Sequence, residues 1–308
     1  MKILITGGAG FIGSTIISKI HHEHDIVILD NFLEQVHGKN PSLPSNCTTI
    51  TGNVTNRETW NLALNTNPDI IIHLASETGT GQSMDEMTRY CNTNVIGTSI
   101  MLDMLKTKKH NVKKIILSSS RAVYGEGKNI ETNTSLIPLS VYALTKLTQE
   151  QLLQTACSVP YTIFRYQNVY GPGQSILNPY TGIISIFSEK FSSNEDVTIW
   201  DNAKPTRDFV YVDDVVDATL LALNNDITNY KIYNIGTGQA TPILDVTKKL
   251  KQLITSTADI KITDYHRPGD IMHAVGNIDK IQKELNWQPK YNINQGLEKF
   301  YEWFLTQK

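Results

Sequence analysis

The sequence predicts an α/β protein: a doubly wound parallel sheet followed by a smaller, loop-rich lobe. Three observations carry that expectation. Short β-rich runs alternate with helical patterns through the first half of the chain, the order that builds βαβ units with right-handed crossovers. Those runs are continuously apolar rather than alternating, as strands covered on both faces must be. After "RYQNVYGPGQ" the alternation stops and glycine, proline and asparagine become frequent, which marks loops.

Taken in order, "KILIT" is a strand, "FIGSTIISKI" has apolar residues at helical spacing and "DIVILD" is a second strand. "TTITGNV", "DIIIHLAS", "VKKIILSSS" and "YTIFRY" follow as strands, with helices expected around 56–65, 84–107 and 140–157. "VDDVVDATLLAL" and "PILDVTKKLKQLI" read as helices within the loop-rich part. The expected division is a first domain over 1–167, to which 209–238 returns, and a lobe over 168–308.

Composition narrows the function. Of 308 residues, 40% are apolar and 19% charged, ordinary for a soluble globular chain. Net charge is -2 with no long basic run, so the electrostatic footprint of a nucleic-acid binder is missing. No apolar run approaches the roughly 20 residues that span a bilayer, and the glycines of "MKILITGGAG" come too early for a signal peptide. Cys47, Cys91 and Cys157 are widely spaced, which fits neither a disulfide framework nor a zinc site and points to the cytoplasm. The Asn-x-Ser/Thr triplets at Asn46, Asn53 and Asn133 are then chance matches. "HHEH" at His21 to His24 could be read as a metal cluster, but it falls between a helix and a strand, where polar residues are solvated; no metal is expected.

"ILITGGAGFIGSTI" sets Gly7, Gly10 and Gly13 as GxxGxxG between the first strand and the first helix. The glycines serve a tight turn, close approach of backbone to a pyrophosphate, and close packing of helix on strand. The helix N-terminus adds free amides and partial positive charge. Asp30 ends the next strand, where a carboxylate accepts from the adenosine ribose hydroxyls and repels a 2′-phosphate. "NFLEQ" after it supplies no Arg or Lys to offset that repulsion, so NAD is expected rather than NADP. In the other reading Asp30 is a turn residue of "LDN". The sheet is thus a Rossmann sheet, and the lobe beyond it is expected to bind substrate.

Tyr142 and Lys146 stand four apart in a helical segment, so both project from one face. A tyrosine titrates near 10 in water, and an adjacent ammonium favours the phenolate, which suits Tyr142 to take a hydroxyl proton.

"GGAGFIG", "HLAS", "NTNVIGT", "SSSRAVYG", "YALTK", "RYQNVYGPGQ", "RDFVYVDDV" and "RPGD" run in this order over essentially the whole chain. With them the sequence resembles the extended short-chain dehydrogenase/reductases of the nucleotide-sugar epimerase and dehydratase family. The resemblance implies NAD as cofactor and a triad of Ser120, Tyr142 and Lys146, the serine on the reacting hydroxyl and the lysine also holding the nicotinamide ribose. It extends the cofactor contacts to Gly7, Gly10, Phe11, Ile12, Gly13, Asp30 and Asn31, to Asn53 and Val54, to Leu74, Ala75 and Ser76, and to Asn94, Tyr142, Lys146 and Tyr166. Asn53 replaces the usual aspartate near the adenine; its carbonyl is expected to take over that hydrogen bond. On the substrate side the resemblance implies Ser120, Arg121, Tyr142, Asn168, Asn178, Arg207, Arg267 and Asp270. Arg207 and Arg267 match positions on the nucleotide diphosphate, where guanidinium forks suit phosphate; the other reading of each is a surface ion pair. A second departure is "DNAKPT" before "RDF", with Ala203 where glycine is usual.

In the family's 4,6-dehydratases the residues after the catalytic serine resemble Asp-Glu, an acid and a base for eliminating water. Arg121 and Ala122 stand there and cannot perform that proton chemistry. Epimerisation through a 4-keto intermediate remains, redox-neutral, on a nucleotide sugar. "SSRAVYGEG", "ETGTGQSM" and "QNVYGPGQSILNPYTGIISIFS" look closest to dTDP-L-rhamnose 4-epimerase-like or UDP-hexose 4-epimerase-like members and to polysaccharide biosynthesis. One alternative is a 4-dehydrogenase or ketoreductase acting on a GDP- or dTDP-activated deoxysugar or heptose. Another, of a different class, is a silent NAD-sensing protein, which has no need of an intact triad. The resemblance also implies a homodimer through helices in "MTRYCNTNVIGTSIMLDML" and "YALTKLTQEQLLQTA", although both could pack on their own sheet instead.

Overall fold

The computed structural model describes residues 1–37, 43–176, 178–180, 182–266 and 270–308. The first strands are β1 (Lys2–Thr6), β2 (Asp25–Asp30), β3 (Thr48–Thr51), β4 (Ile70–His73) and β5 (Lys114–Ser120). They are followed by β6 (Gly127–Ile130), β7 (Tyr161–Tyr166), β8 (Asn168–Tyr170), β9 (Val197–Ile199) and β10 (Thr206–Arg207). Last come β11 (Phe209–Tyr211), β12 (Lys231–Ile235), β13 (Thr241–Pro242), β14 (Ile260–Ile262) and β15 (His273–Gly276).

Seven of these strands form the central sheet, in the order β12-β7-β5-β4-β1-β2-β3, every pair parallel. The chain builds outward from β1 to β3, then jumps back to place β4 on the other side of β1. That reversal leaves a crevice beyond the carboxyl ends of β1 and β4, the usual ligand position in open α/β sheets.

Helices α1 (Phe11–Ile20), α2 (Glu34–His37), α3 (Arg57–Asn65), α4 (Thr80–Asp85) and α5 (Met87–Tyr90) precede α6 (Gly97–Thr107) and α7 (Val141–Ala156). The later ones are α8 (Ile183–Ser192), α9 (Val212–Leu223), α10 (Ile243–Ile254), α11 (Asp279–Leu285) and α12 (Ile293–Leu305). One face of the sheet is covered by Ile16 and Ile17 of α1, Val215 and Val216 of α9, and Ile281 and Leu285 of α11. The other is covered by Trp60 of α3, Met101 and Leu105 of α6, and Leu153 of α7. Coverage of both faces explains the continuously apolar strands. A separate core in the lobe joins Phe191 of α8, Leu250 of α10 and Phe300 of α12.

Three features differ from expectation. The helix expected over 84–107 is interrupted: α5 runs into a π-helical turn, Cys91–Ile96, before α6. Gly97, just past that turn, lets the helix close on Val54, whose side chain a Cβ would meet at 2.7 Å. Secondly, α11 and Trp287, assigned by sequence to the lobe, pack on the sheet, and Trp287 Nε1 donates to the Asp214 carbonyl at 3.2 Å. Thirdly, β11 pairs with β8 in a sheet of their own, whereas α9 and β12 of the same stretch belong to the central sheet and its cover. Helices α3 and α7 start where their caps place them: Asn56 accepts from the Glu58 amide and Ser140 from the Ala143 amide.

No helix among the described residues is long and apolar enough to cross a membrane. No three His, Cys, Asp or Glu side chains gather around a metal position among them; His21 Nδ1 instead meets the Asn46 amide oxygen at 3.0 Å.

Candidate active site

The crevice at the switch point is a cleft of ≈ 760 Å³, lined from the glycine turn after β1 to the ends of β5 and β7 and the start of α7. Gly7 has φ +69, and a Cβ there would lie 2.7 Å from the Ala75 amide nitrogen. A Cβ on Gly13 would lie 2.5 Å from the Gly7 carbonyl oxygen. Both positions therefore require glycine, one for the turn and one for helix-on-strand packing. Gly10 is the N-cap of α1 and has no side chain to close the first turn. With Gly10, Phe11, Ile12 and Gly13 all on the cleft, the first amides of α1 face the space a pyrophosphate needs. The residues present thus fit NAD.

Asp30, only 4% exposed, accepts from the Ala9 amide at 3.0 Å and the Phe32 amide at 2.9 Å. His37 Nε2 lies 3.1 Å from its Oδ1, and His37 Nδ1 is 3.1 Å from the Ala9 carbonyl. Burial pushes the Asp30 pKa up, but the His37 contact and the two amides outweigh it and hold the carboxyl below the usual range. "NFLEQ" supplies no Arg or Lys beside Asp30, and α2 folds the His37 ring back onto the carboxylate.

Asn31, Asn53, Val54, Leu74, Ala75 and Ser76 line the same cleft. The Asn53 carbonyl accepts from the Thr55 amide at 2.9 Å and hydroxyl at 3.0 Å. Asn94 does not reach the cleft. It is fully buried, its Oδ1 accepting from Ser76 and the Glu77 amide and its Nδ2 donating to Glu77 O and to Thr145. From the π-helical turn it therefore braces α7 and the loop after β4.

The expected triad converges. The Ser120 hydroxyl lies beside the Tyr142 phenol, and Ser120 Oγ accepts from the Ala122 amide at 3.1 Å. Lys146 Nζ donates to the Ser118 carbonyl at 2.9 Å. Burial pulls Lys146 down to about 7, with Glu150 opposing. For Tyr142, burial raises the pKa, while the Ser120 hydrogen bond and the Arg121 charge work the other way. The expected lowering of Tyr142 by Lys146 is thus overturned: enclosure of the phenol dominates, and the cation acting on it is Arg121.

On the substrate side, Asn168, Asn178 and Tyr166 line the cleft. Asn178 Oδ1 accepts from Gln35 Nε2 at 3.3 Å and from the Tyr180 amide at 3.0 Å, which ties its loop to α2 across the cofactor cleft. Arg121 is buried and donates to the Gly125 carbonyl at 2.6 Å. Burial pushes its pKa down to about 9 and the Arg207 charge adds to that. Arg207 Nη1 donates to the carbonyls of Thr206 at 2.9 Å and Met272 at 3.2 Å, where β10 runs beside β15. Asp270 stands ahead of β15, engaged within the fold. Arg267 lies outside the described residues. His37 and Gln35 have no local signal in the sequence; only their fold-back onto Asp30 and Asn178 brings them to the site.

Comparison with known proteins agrees with this geometry. Residues 3–236 match the NAD dependent epimerase/dehydratase family. A dTDP-L-rhamnose 4-epimerase of Burkholderia thailandensis is 34% identical, over 99% of this chain and 95% of that protein. The crystal structure of a UDP-glucose 4-epimerase from Thermotoga maritima with UDP-glucose is 31% identical, with TM-score 0.91, covering 100% of this chain and 99% of that one. A Thermus thermophilus UDP-glucose 4-epimerase solved with NAD is 27% identical, with TM-score 0.89 and 99% of each chain covered. The match spans the glycine turn, the cleft and the tyrosine helix alike, and on it the chain belongs to the NAD dependent epimerase/dehydratase family.

Proposed function

We propose that the protein is an NAD-dependent nucleotide-sugar 4-epimerase working through a transient 4-keto sugar, with dTDP-L-rhamnose or a similar dTDP- or UDP-hexose as substrate. The observation that carries this is the convergence of Ser120, Tyr142 and Lys146 on the cleft that fits NAD, followed by Arg121 and Ala122 rather than an acid–base pair. As the phenolate, which the Arg121 charge and the Ser120 hydroxyl favour against burial, Tyr142 takes the C4 hydroxyl proton, and Ser120 holds the same oxygen. Lys146, brought to about 7 by burial, offers a proton close to neutral pH and holds the nicotinamide ribose. NAD held in this cleft would supply the hydride acceptor and donor for C4. Return to the other face requires the ketosugar to turn over while its diphosphate stays anchored. Arg207, Arg267, Asp270, Asn168 and Asn178 serve that anchoring side, and the relatives that act on dTDP-L-rhamnose and UDP-glucose support this substrate class.

The test is proton NMR of the protein with dTDP-, UDP- and GDP-sugars in deuterated water, without added nicotinamide. A C4 epimer free of deuterium is expected, and Tyr142→Phe should lower its rate by about 10²–10⁴ while keeping NAD affinity. Conversion only with stoichiometric NAD or NADH would make the protein a dehydrogenase or reductase instead.

A further inference from the structure

The serine run that closes β5 meets α7 residue by residue. Ser120 lies beside Tyr142, the Ser118 carbonyl accepts from Lys146, and Ser119 Oγ donates to the Glu150 carboxylate. Positions 142, 146 and 150 are successive turns of one helical face, so Glu150 occupies the next place in the row formed by the reacting pair. Unlike them Glu150, 1% exposed, does not line the cleft.

Its partner is equally enclosed. Arg165 on β7, 2% exposed, donates to Glu150 through Nε at 2.9 and 3.2 Å and through Nη2 at 2.5 Å. The guanidinium continues through Nη1 to the Tyr124 hydroxyl at 2.8 Å and the Thr132 carbonyl at 3.0 Å, and the Tyr124 hydroxyl donates to Asn234 on β12 at 2.7 Å. One buried carboxylate thus joins α7, β5 and β7, and through Arg165 reaches β12.

Removing two charges from water is a poor way to gain stability, since desolvation consumes most of the attraction. Setting register is the better-attested use of such pairs. The charged and titratable groups around Lys146 are Tyr142 and Glu150 on its own helix, His73 on β4, Arg165 on β7 behind Glu150, and Arg121 beyond Tyr142. His73 is buried and neutral near pH 7. Glu150 is the carboxylate that acts on Lys146.

We propose that Glu150, locked to Arg165, is a positioning residue that sets the register of α7 against β5 and supplies the counter-charge behind Lys146. This rests on the roles given to Tyr142 and Lys146 above. A slip of α7 would break all three serine contacts together, and loss of the carboxylate would leave buried Lys146 without the one anion that acts on it.

The test uses NAD binding to the full protein, followed by tryptophan fluorescence from pH 6 to 9.5, alongside turnover. The affinity of the wild-type protein should fall at the upper pH limb where Lys146 loses its proton, and Lys146→Met should remove that limb. Glu150→Gln keeps the shape and should move the limb down by roughly one pH unit. Turnover at pH 8 should fall about tenfold with KM changed less than twofold. The double variant Glu150→Gln/Arg165→Met, which strands no cation, should keep the displaced limb and carries the test if the single variant does not fold. A limb in the wild-type position in a folded variant, with only the melting temperature lowered, would overturn the proposal; so would wild-type affinity independent of pH. Because NAD binding needs no sugar, failure of the wild-type protein to epimerise any nucleotide sugar would sink the function and leave this result standing on its own.

Discussion

His37 reaches Asp30 from a different element and changes what that carboxylate can do. Asp30→Ala removes an acceptor of charge-assisted hydrogen bonds worth about 1.5–3 kcal/mol each. NAD affinity should therefore fall roughly 10- to 100-fold and the preference over NADP should narrow. Titration calorimetry with both cofactors checks this, and unchanged affinities would leave Asp30 a turn residue. His73 makes a different point about burial. It is 1% exposed, between the hydroxyls of Thr6 at 2.8 Å and Thr98 at 3.1 Å. Burial, helped by Lys146, pushes it from 6.5 down to about 3. The unfolded chain binds a proton there near 6.5 and the folded chain only near 3, so unfolding takes up a proton in between. Stability must then fall as pH falls through that window, by about 2 kcal/mol from pH 6.5 to 5 for this one group. Urea midpoints at pH 7 and 5 should show the loss, and His73→Gln should flatten it; equal slopes would contradict the assignment.

At the scale of elements, the glycine turn is a packing device as much as a ligand site. Gly13→Ala would place Cβ 2.5 Å from the Gly7 oxygen and 2.7 Å from Gly8 Cα, backbone atoms that cannot rotate away. α1 must then retreat from β1, at about 1–3 kcal/mol, and NAD affinity should drop more than stability does. Thermal melts with and without NAD separate the two effects. GxxGxxG and the sheet strands were legible because their causes are local: glycine geometry, and apolar runs covered on both faces. The π-helical turn at Cys91–Ile96 was not legible, since its anchor, Asn94, bonds Ser76, Glu77 and Thr145 from distant segments. The amphipathic pattern of α11 shows that one face is buried without saying against which element. Asn53 adds a contact at short range: its carbonyl accepts from the neighbouring Thr55 amide and hydroxyl. The meeting of Ser120, Tyr142 and Lys146 was legible from motif order, whereas the placement of Arg121 depended on Gly125, whose carbonyl receives it.

For the whole molecule, apolar surface suggests a second copy. Met84, Met87, Ile96 and Leu144 are exposed at 39%, 53%, 47% and 52% on α4, α5, the π-helical turn and α7, which contact one another. Neighbouring exposed apolar groups of this kind mark interfaces. The protein should sediment as a homodimer, and Met87→Glu/Ile96→Glu should give monomers; a monomeric wild-type protein would reject the interface. The strand order has a consequence of another sort. β7 has all six residues buried, and its outer neighbour β12 begins only at Lys231. On the ribosome, at roughly 5–20 residues per second, β7 is completed several seconds before the strand that covers it exists. During that interval the nascent chain presents an open, hydrophobic parallel edge, the feature that folded proteins conceal most carefully. The last strand to join the sheet therefore ends a period in which the growing chain depends on chaperones, or on its own dilution, to stay apart from its neighbours.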